Sequence, residues 1–113
     1  MPVLCSADMR LDFEKMGGLL PVIVQDHVTK GVLMLGFMND QAWEKTRRTG
    51  LVTFWSRQRQ VLWTKGETSG HTLQVCRIWV DCDDDALLIE AEPKGPTCHT
   101  GERSCFYREV ARA

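Results

Sequence analysis

Residues 19–50 read LLPVIVQDHVTKGVLMLGFMNDQAWEKTRRTG, and this stretch decides the class of fold. Residues 19–24 and 31–38 are short apolar runs on either side of a polar connection, which predicts two buried strands joined as a hairpin. Asn39 is a typical N-cap, so we expect a helix over residues 40–49, with arginines near its carboxyl end and a glycine directly after it.

The rest of the chain is dominated by strand patterns. Residues 51–55 and 61–64 flank a polar turn, and residues 86–91 form another apolar run. Both alternating faces of residues 72–81 are largely apolar, which predicts a central strand of the sheet. Residues 105–110 are expected to form a last short strand or helix. One main helix with about six strands indicates a β-rich α+β class with a mostly antiparallel sheet.

The composition is that of an ordinary globular domain. The chain has 113 residues, of which 43% are hydrophobic, and we expect a single domain over residues 1–113. Lys and Arg number 14 and Asp and Glu 15, a net charge of −1, which argues against a nucleic-acid partner. No apolar run approaches the ~18 residues needed to cross a membrane, and the first ten residues lack a secretory signal pattern. We therefore expect a cytoplasmic protein without a membrane partner.

Five cysteines are many for a chain of this kind. An odd number without a secretory signal argues against a disulfide framework and favours metal binding or catalysis. Alternation places Cys76 on the strand face of Ile78, where we expect a buried core thiol, and Cys5 is given no role. The other three cysteines are Cys82, Cys98 and Cys105.

The acidic run Asp81-Cys82-Asp83-Asp84-Asp85 offers two kinds of metal ligand. If the preceding strand continues through it, Asp81, Asp83 and Asp85 share one side and Cys82 lies on the other. Three neighbouring carboxylates repel one another unless a cation lies between them, and hard oxygen ligands suit magnesium (Mg²⁺). The thiol suits a softer ion such as zinc (Zn²⁺). The alternative is a solvated acidic turn at the end of a strand.

Cys98 and Cys105 are seven positions apart, with Gly101 between them. A loop bent at Gly101 would bring both sulfurs to one ion, and Cys82 is a candidate third ligand. Three thiolates with an open fourth position match the pattern of a catalytic zinc site. The alternative for the two cysteines is a pair of unrelated small side chains. For His99 the options are a fourth ligand, a proton shuttle or an ordinary surface residue.

A polar and basic segment follows the first strand after the helix. Residues 56–59 carry two arginines in a turn, and residues 65–71 form a loop rich in glycine and hydroxyl groups, which together suit phosphate groups. Phe54, Trp55 and Trp63 lie close by in sequence and are candidates for stacking on a base. The alternative is an exposed turn beside core aromatics.

These motifs have the order and spacing of a known family. The chain resembles the phosphoribosyl-AMP cyclohydrolases, enzymes of histidine biosynthesis, over residues 18–107. The stretches that carry the resemblance are Val32-Leu33-Met34 through Phe37-Met38-Asn39, Thr49-Gly50, Phe54-Trp55-Ser56-Arg57, Leu62-Trp63, Lys65-Gly66-Glu67-Thr68-Ser69-Gly70, Asp81-Cys82-Asp83-Asp84-Asp85, Gly95, Cys98-His99-Thr100-Gly101 and Ser104-Cys105-Phe106.

The resemblance implies an intertwined, cytoplasmic homodimer that depends on zinc and magnesium. It implies that three cysteines bind zinc, with Cys82 from one subunit and Cys98 and Cys105 from its partner. The magnesium ligands that it implies are Asp81, Asp83 and Asp85. Some relatives carry a C-terminal phosphoribosyl-ATP pyrophosphohydrolase domain, and because the chain ends at Ala113 we expect that second activity to be absent.

The reaction implied by the resemblance is hydrolytic opening of the adenine ring of N1-(5-phosphoribosyl)-AMP at the N1–C6 bond. Three thiolates make zinc a weaker acid than neutral ligands would, so we expect a nearby general base, and His99 is the candidate. The side chains expected to contact the phosphates or the base of the substrate are Arg57, Lys65, Glu67, Ser69 and His71.

Two other functions fit parts of this pattern. A zinc nucleobase deaminase would also attack C6 of adenine, but its H-x-E and P-C-x-x-C motifs are absent from the sequence. A structural-zinc interaction module without catalysis predicts a closed site in which His99 or Cys76 is the fourth ligand.

Overall fold

The computed structural model describes residues 11–113, and Cys5 therefore lies outside the described residues. A single 3₁₀ turn, Glu14–Met16, precedes the first strand. The elements that follow in chain order are β1 (Leu20–Asp26), β2 (Val32–Met38), α1 (Asp40–Thr49), β3 (Thr53–Ser56), β4 (Val61–Thr64), β5 (Leu73–Val80) and β6 (Leu87–Pro93).

The hairpin and the helix that the sequence predicts are confirmed. β1 pairs with β2 in antiparallel register, with Ile23 opposite Leu35. The side chain of Asn39 accepts a hydrogen bond from the backbone N–H of Ala42 at 2.8 Å and so caps α1. Gly50 ends the helix in the left-handed conformation (φ 76°), which glycine adopts without steric cost.

The strands form two sheets. β2, β1, β6 and β5 lie side by side in that order, and β3 pairs with β4 in a separate two-stranded sheet. In the part of the chain that is described, β1 and β6 run parallel and every other strand pair is antiparallel. The structure thus confirms the α+β class with one main helix and a mostly antiparallel sheet.

β5 lies at an edge of the four-stranded sheet, so the prediction of a central strand is wrong. It pairs along its length with β6, and its other edge makes an isolated bridge between Gln74 and Leu51. The prediction of a buried Cys76 is also wrong, because this thiol is exposed. The register with β6 shifts between Val75 and Arg77, and Cys76 lies at that irregularity instead of opposite a partner.

The core is built from the inward-facing side chains of both sheets and of α1. Phe54 on β3 is 1% exposed and lies directly over Gly36 of β2. A Cβ atom at Gly36 would lie 2.5 Å from Cδ1 of Phe54, so the absence of a side chain there lets the two sheets approach.

The end of the chain adopts neither of the two predicted structures, because residues 105–110 form no helix and no strand. Among the described residues, no helix is both long and apolar enough to cross a membrane.

Candidate functional site

Three aspartates of the acidic run lie together on a turn that follows β5. The strand ends before the run begins, so the predicted continuation of the strand is wrong. The Asp81 Oδ1 atom accepts hydrogen bonds from the N–H groups of Asp85 at 3.0 Å and Ala86 at 3.2 Å, and Asp84 has a left-handed backbone (φ 65°). Carboxylate oxygens of Asp81, Asp83 and Asp85 lie within 4.8 Å of one another.

This spacing fits a small divalent cation. Magnesium takes six oxygen ligands at about 2.0–2.1 Å in octahedral geometry, so neighbouring ligand atoms around it lie about 3 Å apart. Three carboxylates whose oxygens lie within 4.8 Å of one another would supply part of such a ligand set, and water would supply the remaining ligands.

The crowding of negative charge is reflected in the pKa values of the turn. Desolvation and the nearby Asp83 and Asp81 carboxyl groups raise the pKa of Asp85. Desolvation also acts to raise the pKa of Asp81, but hydrogen bonds from Asp85 and Ala86 outweigh it and hold the pKa below its ordinary value. A cation beside the turn would therefore favour the ionised form of Asp85.

Lys15 supplies such a cation from a distant part of the chain. Its Nζ atom lies 3.5 Å from Oδ2 of both Asp83 and Asp85, and it donates a hydrogen bond to the Asp83 carbonyl at 2.9 Å. Desolvation acts to lower the pKa of Lys15, but the two carboxylates raise it above the ordinary value. Sequence reasoning missed this residue because 68 positions separate Lys15 from Asp83 and no motif links them.

Cys98 and Cys105 approach each other across a tight loop. Gly101 adopts a left-handed conformation (φ 92°), and its N–H donates to the Cys98 carbonyl at 2.9 Å. The Cys98 N–H donates to the Glu102 carbonyl at 3.0 Å, and the Cys105 N–H donates to the Leu33 carbonyl of β2 at 2.8 Å. The loop therefore bends at Gly101, as expected, and its far end is attached to the sheet.

The two thiols differ in their readiness to ionise. The Thr100 hydroxyl donates a hydrogen bond to the Cys98 sulfur at 3.1 Å, and this contact is the main reason that the pKa of Cys98 is lowered. Burial raises the pKa of Cys105, and the neighbouring Cys98 sulfur adds to the effect. The positive charge of Lys65 favours the thiolate form of both cysteines. The environment of Cys98 thus favours its thiolate form, which is the form of cysteine that binds soft metal ions.

Cys82 does not join this pair within one chain. It is exposed on the acidic turn. The one group of at least three candidate metal ligands that lie together in residues 11–113 is the aspartate cluster, and it contains no sulfur. The predicted set of three thiols is therefore not assembled by a single copy of the described chain.

His99 lies in the tight loop itself, and His71 lies against the segment that leads into that loop. His99 is exposed and directly follows Cys98 in the tight loop. Gly95 lies three residues before Cys98, and a Cβ atom placed on it would lie 2.4 Å from Cδ2 of His71. The ring of His71 therefore lies against the start of the segment that carries the thiols. The loop before it is held by the Ser69 hydroxyl, which accepts a hydrogen bond from the His71 N–H at 3.2 Å.

The β3–β4 hairpin carries a shallow groove of about 310 Å³. Glu67 lies on its border, and the Lys65 ammonium lies 5.4 Å from the centre of the Trp63 ring. Arg57 does not line this groove and stacks on Phe37, with its guanidinium 4.0 Å from the ring centre. The residues that line the groove are Ser56, Arg59, Val61, Leu62, Trp63 and Glu67.

Of the three aromatic residues proposed to stack on a base, Trp63 is the most exposed, and Trp55 is half-buried. Its side chain is 36% exposed and lines the groove. Phe54 is buried in the core and contacts Trp63 from below, with the ring centres 5.7 Å apart. Phe54 is therefore a core residue, whereas a ligand can reach the ring of Trp63.

Comparison with known proteins identifies the family. The model of the family described as phosphoribosyl-AMP cyclohydrolase matches residues 34–107. The chain belongs to this family. The matched range contains the acidic turn, both cysteines of the tight loop and His99, whereas Lys15 and β1 lie before it.

Relatives in the phosphoribosyl-AMP cyclohydrolase family come from distant organisms. The chain is 59% identical over 103 residues to the phosphoribosyl-AMP cyclohydrolase of Desulfatibacillum aliphaticivorans, covering 90% of this chain and 82% of that protein. It is 58% identical over 100 residues to the enzyme of the same name from Cenarchaeum symbiosum, covering 88% of this chain and 93% of the relative.

Longer members of the family also match. The chain is 59% identical over 101 residues to the histidine biosynthesis bifunctional protein HisIE of Staphylococcus aureus strain COL, covering 89% of this chain and 47% of that protein. The chain therefore spans about half the length of the bifunctional relatives that it matches.

Proposed function

We propose that the protein hydrolyses the adenine ring of N1-(5-phosphoribosyl)-AMP in histidine biosynthesis. Ribosylation at N1 disturbs the aromatic ring and makes C6 electrophilic. The oxygen of a water molecule adds to C6, the N1–C6 bond breaks, and N1 takes up a proton. The product is the formimino aminoimidazole carboxamide ribotide. The observation that carries the proposal is the thiol pair of Cys98 and Cys105 in a chain of this family.

The thiol pair is the proposed zinc site. Cys98 and Cys105 would hold the ion from one subunit and Cys82 of the partner subunit would be the third ligand. When bound, zinc supplies a Lewis acid that lowers the pKa of a coordinated water toward ~7. The fit rests on the lowered pKa of Cys98 and on the proximity of the two thiols, each of which shifts the pKa of the other. A reducing cytoplasm would keep these cysteines free of disulfides.

His99 is the proposed general base. It directly follows a proposed ligand in the chain, and it is exposed, so its ring is accessible to water. In this role the imidazole takes a proton from the attacking water and returns a proton to N1 as the ring opens.

The aspartate cluster is the proposed magnesium site. Asp81, Asp83 and Asp85 would hold the ion, which binds oxygen atoms of a substrate phosphate or ribose when it is present. Because the cluster carries up to three negative charges, it does not attract a phosphate by itself, and a divalent ion would offset most of that charge and present a cation to the phosphate oxygens.

The hairpin groove and the loop of residues 65–71 are the proposed substrate surface. Trp63 offers an accessible ring for stacking on a base. The Lys65 ammonium lies 5.4 Å from the centre of that ring and also favours the thiolate form of Cys98. Glu67 borders the groove, whereas Ser69 and His71 lie on the loop that runs toward Gly95. Arg57 is exposed at the hairpin turn and is suited to a phosphate that extends beyond the groove.

A homodimer is supported by an apolar row across the outer face of the four-stranded sheet. The strand registers place Leu35, Ile23, Leu88 and Trp79 in one line across all four strands. Leu35, Ile23 and Trp79 are 44%, 39% and 49% exposed. Exposed apolar side chains in a continuous row favour burial by another protein surface, and a second copy would also supply the missing third thiol.

The activity is tested with purified protein and phosphoribosyl-AMP, following product absorbance before and after treatment with a zinc chelator. We expect turnover that the chelator abolishes and that added zinc restores. Cys98→Ser should remove it, whereas Cys76→Ser is a matched control because Cys76 is an exposed thiol outside the loop.

Other outcomes would identify a different function. Release of ammonia in place of ring opening would indicate a deaminase, and tightly bound zinc without turnover would indicate a structural module. Either result would contradict the proposed reaction.

A further inference from the structure

We propose that the ion pair between Asp26 and Arg103 is a positioning device that holds residues 97–105 in the shape that brings Cys98 and Cys105 together before any metal binds. This inference rests on the proposed zinc role of the two cysteines. Neither member of the pair contacts the reacting groups, so both are positioning residues.

Asp26 is a fixed acceptor at the end of β1. Its carboxylate is buried, and Oδ1 accepts hydrogen bonds from the N–H groups of Val28 at 2.8 Å and Thr29 at 3.1 Å. The second oxygen, Oδ2, accepts a hydrogen bond from Arg103 Nη2 at 3.0 Å. The turn thus orients one carboxylate oxygen toward the cysteine loop.

Arg103 reaches this acceptor from the middle of the cysteine loop. Its Nη2 atom also donates to the Thr29 hydroxyl at 3.0 Å, so one guanidinium nitrogen holds two groups of the β1–β2 turn. The Arg103 carbonyl accepts a hydrogen bond from the Thr97 N–H at 3.3 Å. The side chain of Arg103 is therefore bonded to the β1–β2 turn, and its backbone is bonded to Thr97, where the loop begins.

The contacts on either side of Arg103 determine where the sulfurs lie. The Ser104 hydroxyl donates to the Val32 carbonyl at 2.7 Å, and the Cys105 N–H donates to the Leu33 carbonyl at 2.8 Å. These bonds attach Cys105 to β2, whereas Cys98 is attached to the loop through the Glu102 carbonyl. Arg103 links the part of the loop that carries Cys98 to the part that carries Cys105. Its loss would let the two cysteines move independently.

A loop that is already ordered loses less conformational entropy when it binds a metal. The segment between the cysteines has no helix or strand to order it. Without an anchor, an ion would have to restrict several backbone torsions as it binds, and the lost conformational entropy would lower its affinity. An arginine held by a buried carboxylate restricts the loop in advance.

Asp26→Asn separates this role from a general role in folding. Asparagine keeps the Oδ1 acceptor for the N–H groups of Val28 and Thr29, so the turn keeps these hydrogen bonds. In place of the Oδ2 acceptor it presents an NH₂ group, which cannot accept a hydrogen bond from Arg103. Arg103→Met removes the same contact from the other side. Arg103→Lys keeps a cation and should restore part of the effect.

The experiment measures the metal-free loop and zinc binding in the full-length protein. Hydrogen exchange of the Cys98 and Cys105 amides reports the order of the loop without metal, and competition with a chromophoric chelator reports zinc affinity. The absorption spectrum of the Co²⁺-substituted protein reports the number of thiolate ligands. Arg112→Met is the matched control, because Arg112 also forms an exposed ion pair, with Glu109, outside the loop.

We expect faster exchange of both amides and a loss of zinc affinity of about 10- to 100-fold in Asp26→Asn and Arg103→Met, with weaker thiolate bands for Co²⁺. Arg103→Lys should lie between these variants and the wild type, and Arg112→Met should match the wild type.

Unchanged zinc affinity in the first two variants, with or without faster exchange, would overturn the inference while leaving the proposed function intact. Failure of the wild-type protein to bind zinc at all would instead contradict the proposed function. If Arg103→Met does not fold, Asp26→Asn decides, because it retains the turn.

Discussion

At the scale of single residues, Lys15 is the group that changes the electrostatics of the acidic turn most directly. It places an ammonium beside Asp83 and Asp85, where the proposed magnesium ion would also neutralise negative charge. Two cations of this kind repel each other at short distance, so Lys15 and the ion compete for the same carboxylates.

Lys15→Met is therefore expected to raise the affinity of the protein for Mg²⁺. Because exposed ion pairs are weak, we expect tighter binding by at most about fivefold. Isothermal titration with Mg²⁺ measures the effect, and Lys94→Met is the control, because Lys94 pairs with Glu92 and makes no ion pair with the acidic turn. Weaker binding in Lys15→Met would mean that the lysine supports the site.

His99→Asn tests the proposed general base. We expect kcat to fall by about 10²- to 10⁴-fold while bound zinc stays unchanged, because asparagine cannot accept a proton in the same way. The measurement is a steady-state assay together with metal analysis of the same sample. His27→Asn is a control on the β1–β2 turn. Near-normal turnover in His99→Asn with intact metal would assign the proton transfer to another group.

At the scale of elements, the contact between β2 and β3 depends on one glycine. Gly36 lies under the ring of Phe54, and a Cβ atom there would be 2.5 Å from Cδ1 and 2.6 Å from Cε1. Because the ring is buried, it has little room to move away. The two sheets therefore meet at a point that tolerates no side chain without rearrangement.

Gly36→Ala is expected to destabilise the protein by about 1–3 kcal/mol, the usual cost of overpacking a core. Chemical denaturation followed by tryptophan fluorescence measures it. Phe54→Leu removes the ring that the new methyl group meets, so in a double-mutant cycle the cost of Gly36→Ala should be smaller in the Phe54→Leu background. Equal costs in both backgrounds would show that the methyl group clashes elsewhere.

At the scale of the whole molecule, the proposed three-thiolate zinc site needs two copies of the chain. Cys98 and Cys105 lie together, whereas Cys82 is on the acidic turn and belongs to no sulfur cluster in the described residues. The outer sheet face with Trp79 and Leu35 offers an apolar surface where a second copy would pack.

Mixing two inactive variants tests this sharing. Cys82→Ser and Cys98→Ser should each be inactive alone. After unfolding and refolding together, a mixed dimer would contain one intact site, so we expect about a quarter of wild-type activity from random pairing in a two-fold dimer. A mixture of Cys98→Ser with Cys105→Ser is the control and should stay inactive, because both cysteines belong to the same half-site. Activity in neither mixture would contradict a shared site.

The sequence by itself determined the elements whose signals are local. α1 begins after Asn39 and ends at Gly50 as predicted, because capping and left-handed glycine act within one helical turn. The β1–β2 hairpin follows from two apolar runs joined by a short polar connection. The bend of the cysteine loop at Gly101 is equally local.

Only the tertiary structure decided which distant groups meet. The edge position of β5 and the exposure of Cys76 depend on strand order and on a shift in register, which an alternating pattern does not specify. The aspartates lie together because of a turn and not because of a strand face. Lys15 reaches the acidic turn, and Arg103 reaches Asp26, only after the chain has folded. Such contacts join positions with no common local pattern, so packing of the whole chain is the physical cause that brings them together.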